Sequence, residues 1–222
     1  LGQYDLAMRC ELLFYRRENG GIHIARECSP LACRPRLRTD WRGAVAASYL
    51  CELVNRATVP MLAAPTPFGL LDQALDALDA GARPIPVILR FEFALLDALG
   101  LAPDFTPCTD CTLTSGHRPC RFLLPAGRLR CVHSRGHLPG GSSVAIDEAG
   151  LAALRAWQQP DTDPERPFVP PTPPETTTVV RRFLGMFLQC HLDLPMTARQ
   201  AAFAWLETQQ EAKHEFEINR AG

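Results

Sequence analysis

VILRFEFALLDALG, residues 87–100, is the stretch on which the fold turns. Its apolar residues occupy nearly every face of a 3.6-residue helix, which suits a helix surrounded by others at the centre of a bundle. Gly100 supplies the stop, because glycine readily takes the left-handed turn that ends a helix. The flanking sequence supplies the neighbours such a helix needs. Asp40 is a good N-cap for a helix in which Val45, Tyr49, Leu50, Leu53 and Val54 share one face. Another is expected from about Phe68, with Leu71, Leu75 and Leu78 at helical spacing and Gly81 closing it. Asp147 caps a helix ahead of Leu151, Leu154 and Trp157, and the last two helices fall at about 176–191 and 197–210.

Strand character is confined to the start. LAMRCELLFY (6–15) is β-rich and partly alternating, Asn19-Gly20-Gly21 is a turn signal, and IHIARE follows as a second strand. Two strands are marginal alone, so this hairpin (1–33) is expected to belong to a small barrel. A first residue of Leu1 and a strand already under way by Leu12 suit a chain lacking an N-terminal piece. From Pro103 to Gly141 helical periodicity vanishes, and residues 160–174, with seven prolines, read as an extended connector. The fold class is therefore mainly α with a small β part: a helical domain over 40–222, interrupted by a Cys-rich insertion at 108–137.

Hydrophobic content of 46% and charged content of 21% are globular values. No run approaches the roughly 18–20 apolar residues of a membrane span, and the N-terminus has no secretion-signal pattern. These features point to the cytoplasm. A net charge of −1 hides an uneven distribution. Residues 1–42 hold eight arginines against five acids, and 108–137 hold five against Asp110 alone, while 44–107 is acidic. Two basic regions of this kind suit a polyanionic partner.

Five of the nine cysteines (Cys10, Cys28, Cys33, Cys51, Cys190) are scattered and are expected to pack as small hydrophobes. The other four cluster. Cys108-Thr-Asp-Cys111 has the C-x2-C spacing that lets two thiolates face one tetrahedral ion about 2.3 Å away. Cys131 is a natural third ligand. A second C-x2-C would place cysteine at 134, which is Ser134, so the fourth ligand stands open among Cys120, His133 and His137. Structural zinc would then stabilise an insertion expected to have almost no core of its own.

Together these segments resemble the RecO family of recombination mediators. RFEFALLDALGLAPDFTPCTDC (90–111) is similar to the family's long helix, Leu-Gly turn, Pro-Asp loop and first cysteine pair. DWRGAVAASYLCELVNRATVP carries its Tyr-Leu-x-Glu-Leu pattern at Tyr49, Leu50, Glu52 and Leu53. AGRLRC (126–131) stands where the family approaches its second pair, and VVRRFLGMFLQCHLDLPMTAR resembles its closing helix and loop. The resemblance covers nearly the whole chain. It departs at Ser134, at Ala126 and in holding only the final strands of the family's OB barrel.

The resemblance implies a nucleoid-associated bacterial protein that binds single- and double-stranded DNA and anneals complementary strands. It also implies contact with RecR and with the acidic C-terminal tail of single-strand-binding protein (SSB), in aid of RecA loading. Arg16, Arg17, Arg26, Arg34, Arg36 and Arg38, on or just after the hairpin, are the candidate DNA contacts, extended by Arg121, Arg128 and Arg130. Tyr15 and Phe14 are candidate stackers, although an aromatic in a strand more commonly faces a core. Arg90, Arg181, Arg182 and Arg199 are candidates for the rim of a groove that takes an acidic tail. Two other classes stand beside this one. A zinc-stabilised helical adaptor would bind protein partners without DNA. An enzyme pairing a clustered thiol with His117 or His133 is disfavoured, because no Gly-rich phosphate loop, G-x-S-x-G or H-E-x-x-H motif is present.

Overall fold

The computed structural model of the chain describes residues 7–17, 22–106, 120–131, 142–159, 175–192 and 196–208. β1 (Arg9–Tyr15) pairs antiparallel with β2 (Ile24–Ala32), with register shifts after Arg9 and Leu13. A 3-10 turn at Pro35–Arg38 leads into α1 (Trp41–Ala57), α2 (Pro65–Asp79) and α3 (Pro84–Ala98). β3 (Cys120–Leu123), β4 (Arg128–Cys131) and β5 (Ser143–Ile146) form an antiparallel sheet in the order β4-β3-β5. α4 (Glu148–Gln158), α5 (Glu175–Leu192) and α6 (197–208) complete the described chain. The expected turn at 19–21 and the Pro-rich connector lie outside the described residues. Among those described, no helix is long and apolar enough to cross a membrane.

The expected mainly helical architecture is present, and α3 is its centre. Ten of its fifteen residues are buried, Val87, Ile88, Phe91 and Leu95 completely. Asp40 caps α1 by accepting from the Arg42 amide at 3.1 Å, and Asp147 caps α4 by accepting from the Gly150 amide at 2.8 Å. α2 and α3 begin three residues earlier than their apolar periodicity suggested, each with proline in its first turn. Proline has its φ preset for a helix, and in the first turn the N–H it lacks has no partner to lose, so Pro65 and Pro84 start helices rather than break them. Both helices end as expected. Gly81 (φ +93°) and Gly100 (φ +71°) take the left-handed position, and the following amides of Ala82 and Leu101 bond back to Ala77 and Leu96.

Two expectations are corrected. The insertion has no helical periodicity because its described part is sheet, and it does not lack a core. Phe122, Leu123, Leu124 and Leu129 are buried. The Phe122 ring lies 5.4 Å from Phe105, 4.9 Å from Phe183 and 5.9 Å from Phe187, so β3 is fastened edge-on into α5. Of the scattered cysteines, half-buried Cys51 packs against the core as expected. Cys10 and Cys28, half-buried on the hairpin, and Cys33 and Cys190, exposed, do not.

Phe122→Ala is expected to cost about 3–5 kcal/mol of stability, the range for emptying a buried phenylalanine site. Urea unfolding followed by far-UV circular dichroism measures it. A loss below about 1 kcal/mol would show that the sheet is not held through this ring.

Candidate nucleic-acid and partner interface

The hairpin presents its side chains outward on both faces. Leu12, Leu13, Phe14, Tyr15, Ile24 and Leu31 are all exposed, although successive residues of a strand point to opposite sides. Tyr15 is 58% exposed, with the Arg26 guanidinium 5.8 Å from its ring centre and donating to its hydroxyl at 3.2 Å. Phe14 lies 5.5 Å from the His23 ring. Arg16 and Arg17 follow, both exposed. The aromatics expected to face a core are thus open, because the described hairpin has none beneath it.

Arg34 is not a DNA contact, as a correction to its placement in that set. It is 6% exposed, and its guanidinium donates to Asp72 at 2.5 Å, Asp76 at 2.9 Å and the Ala7 carbonyl at 2.6 Å. Arg9 reaches the same Asp72 at 2.6 Å. The result is a latch holding β1 and the residues after β2 against α2, with the guanidinium buried and most of its donors spent on it. Burial pushes the Asp72 carboxyl up, but the hydrogen bonds from Arg34 and Arg9 outweigh it and hold the group below its ordinary value of 3.8.

Arg36 and Arg38 remain exposed on the 3-10 turn. In the insertion, Arg121 and Arg130 occupy paired positions on β3 and β4. Arg121 donates to the Ser143 hydroxyl at 2.9 Å, and Arg128 is exposed at the strand end.

The partner candidates divide. Arg181, Arg182 and Arg199 do meet, around a groove of about 390 Å³ between α5 and α6 whose apolar lining includes Met186 and Met196. Arg181 pairs with Glu207 and lies 4.4 Å over the Phe203 ring. Arg90 is elsewhere, and this part of the expected rim is corrected. It is buried, donating to the Trp157 and Gln159 carbonyls at 3.0 and 2.6 Å, where it closes the C-terminal end of α4.

Arg199 is a rim residue whose charge is already answered. It donates to Glu92 at 2.7 and 2.9 Å, and Tyr49 donates to the same carboxylate at 2.7 Å. Glu92 has no exposure at all. Burial, followed by the Glu92 charge, pushes the Tyr49 hydroxyl well above its usual value. The sequence reading missed this triad. Its signal was a glutamate in the middle of VILRFEF, where a carboxylate must find a cation.

Cys108, Cys111, His133 and His137 lie outside the described residues, so their geometry is not described. Backbone register pairs Cys120 with Cys131 across β3 and β4, which brings two of the candidate metal ligands to one place. Among the described residues no group of three or more His, Cys, Asp or Glu is arranged to hold a metal.

Residues 38–200 match the family model described as "Recombination protein O C terminal". The chain is 32% identical over 170 residues to "DNA repair protein RecO" of Roseiflexus sp. (strain RS-1), covering 76% of this chain and 59% of that one. It is 34% identical over 168 residues to the protein of the same name in Anaeromyxobacter sp. (strain K), covering 74% and 63% respectively. The chain thus spans about three fifths of the length of these relatives. No solved structure matches it.

Two measurements check the buried ion pairs. Arg199→Met is expected to lose about 3–5 kcal/mol, since it leaves Glu92 charged and buried with only a hydroxyl. A variant that unfolds at the wild-type urea midpoint would contradict this. For the latch, a lowered carboxyl value means its stabilisation is present above about pH 4 and lost as pH falls through the folded value. Asp72→Asn should therefore flatten the acid-side loss of stability, read as urea midpoints on lowering the pH from 6.

Proposed function

We propose a function on one premise: this chain belongs to the RecO family of DNA repair proteins. It is a DNA-binding recombination mediator that works by binding rather than by bond-making. It holds single and double strands, anneals complementary ones, and with RecR helps RecA load onto single strands coated by SSB. The observation that carries the reading is the open hairpin. Exposed Tyr15 with Arg26 at its ring, followed by exposed Arg16 and Arg17, has the aromatic-and-cation pattern on which bases stack and phosphates rest, and Phe14 is exposed next to it in the strand. The hairpin corresponds to closing strands of an OB barrel, which gives that pattern its setting.

The groove between α5 and α6 is the proposed seat of the SSB tail. An acidic peptide with apolar end residues matches methionines rimmed by Arg181 and Arg182. This groove also favours the second reading, a helical adaptor without DNA binding of its own. A chain that retains the SSB tail peptide but no DNA at low salt would decide for the adaptor.

Zinc is proposed to be held by Cys108, Cys111 and Cys131, with Cys120 as the fourth ligand in preference to His133 or His137. The paired register of Cys120 and Cys131 supports that choice. The ion would fix the geometry of the insertion without taking part in a reaction.

Retention of a labelled single strand at low salt, weakening steeply as salt rises, together with faster annealing of complementary strands, is the expected result. A folded chain that does neither refutes the mediator reading. Metal content should be near one zinc per chain and fall in both Cys111→Ser and Cys120→Ser. Zinc retained in Cys120→Ser would move the fourth ligand to a histidine.

A further inference from the structure

A second basic site opens where the 3-10 turn, α1 and α3 meet. Arg36, Arg42 and Arg83 line a cleft of about 670 Å³ together with Thr39, Asp40 and Gly81. One carboxylate, Asp40, stands among them, 4.0 Å from the Arg36 side chain. The N-termini of α1 and α3 also open on the cleft, but that of α1 is already capped by Asp40 and that of α3 lacks the N–H groups of Pro84 and Pro86, so the positive charge of the cleft is that of its arginines.

The cleft is built, not incidental. The Arg36 amide donates to Asp79 at 2.8 Å, which fixes the turn against the end of α2. Its guanidinium lies over Gly81, where a Cβ would come within 2.7 Å of it. The guanidinium thus lies in close contact with the α2 stop. Arg83 is exposed at the α3 N-cap without a side-chain capping bond. Arg42 lies 5.4 Å over the Trp41 ring, itself 42% exposed, so an aromatic surface borders the charge.

We infer that this cleft binds successive phosphates of a nucleic-acid strand, carrying the strand from the hairpin onto the helical domain. The inference rests on the DNA-binding reading proposed above and adds a site to it. Position is compatible with nucleic acid: the Pro35–Arg38 turn follows β2 directly, so the cleft's first arginine lies just beyond the end of the hairpin where Ala32 pairs with Arg9. Chemistry argues against an apolar-ended acidic peptide. The lining is arginine, threonine, aspartate and the small residues of the α2–α3 turn, with none of the large apolar side chains found between α5 and α6.

The test is binding of a labelled oligothymidylate by the 222-residue chain over a series of salt concentrations, wild type against Arg36→Gln/Arg42→Gln/Arg83→Gln. Arg56→Gln, on α1 but outside the cleft and paired with Glu52, is the single-charge control, matched to Arg83→Gln. Each lost phosphate contact on a single strand lowers the slope of log affinity against log salt by about 0.7, so the triple variant should lose about 2. The control should keep the wild-type slope. Arg83→Gln alone should lose about one contact's slope, and because no structural bond of its side chain is given up, unfolding should be unchanged. A triple variant that folds and keeps the wild-type slope overturns the site while leaving DNA binding standing. A wild type that binds no oligonucleotide at low salt overturns both. A triple variant that keeps DNA but loses an acidic, apolar-ended peptide would reassign the cleft to a protein partner.

Discussion

A carboxylate shut away from water must be answered by its neighbours, and Glu92 is answered from two other helices. Tyr49 reaches it from α1 and Arg199 from α6, while Arg199 also bonds the Arg181 carbonyl of α5. Four helices thus meet on one side chain of the central helix. The apolar residues of α3 can pack in more than one rotation, since they cover nearly its whole circumference. Glu92 cannot: only one rotation presents it to a guanidinium. The ion pair adds little net stability over a hydrophobic replacement, because burying both charges offsets most of their attraction. Its contribution is to select the arrangement, which in turn sets the groove between α5 and α6.

The two clefts on this framework are chemically distinct. One is lined by arginine, threonine and aspartate, the other by two methionines among glutamines and arginines. A polyanion with no apolar surface and an acidic peptide with apolar residues would each find only one of them well matched.

Much of the helical layout was legible in the sequence, because apolar spacing, the caps at Asp40 and Asp147 and the stops at Gly81 and Gly100 act locally. Apolar spacing alone puts the starts of α2 and α3 three residues late, because the prolines that open each first turn carry no apolar periodicity. The insertion was harder to read. Strands of four residues leave too few positions for alternation to show, and what buries Phe122 comes from α5, some sixty residues later in the chain. The candidate arginines show the same limit. Arg34 and Arg199 carry no mark that separates them from Arg36 or Arg182; what distinguishes them is a carboxylate or carbonyl distant in sequence. Arg90 and Glu92 do stand out as charges within the apolar run VILRFEF, but the run does not say which distant groups answer them.

The ring cluster of Phe105, Phe122, Phe183 and Phe187 bears on how this chain can change over generations. The inserted sheet is anchored by hydrocarbon in the bundle's own interior. Substitutions that spare these four rings leave that anchorage in place.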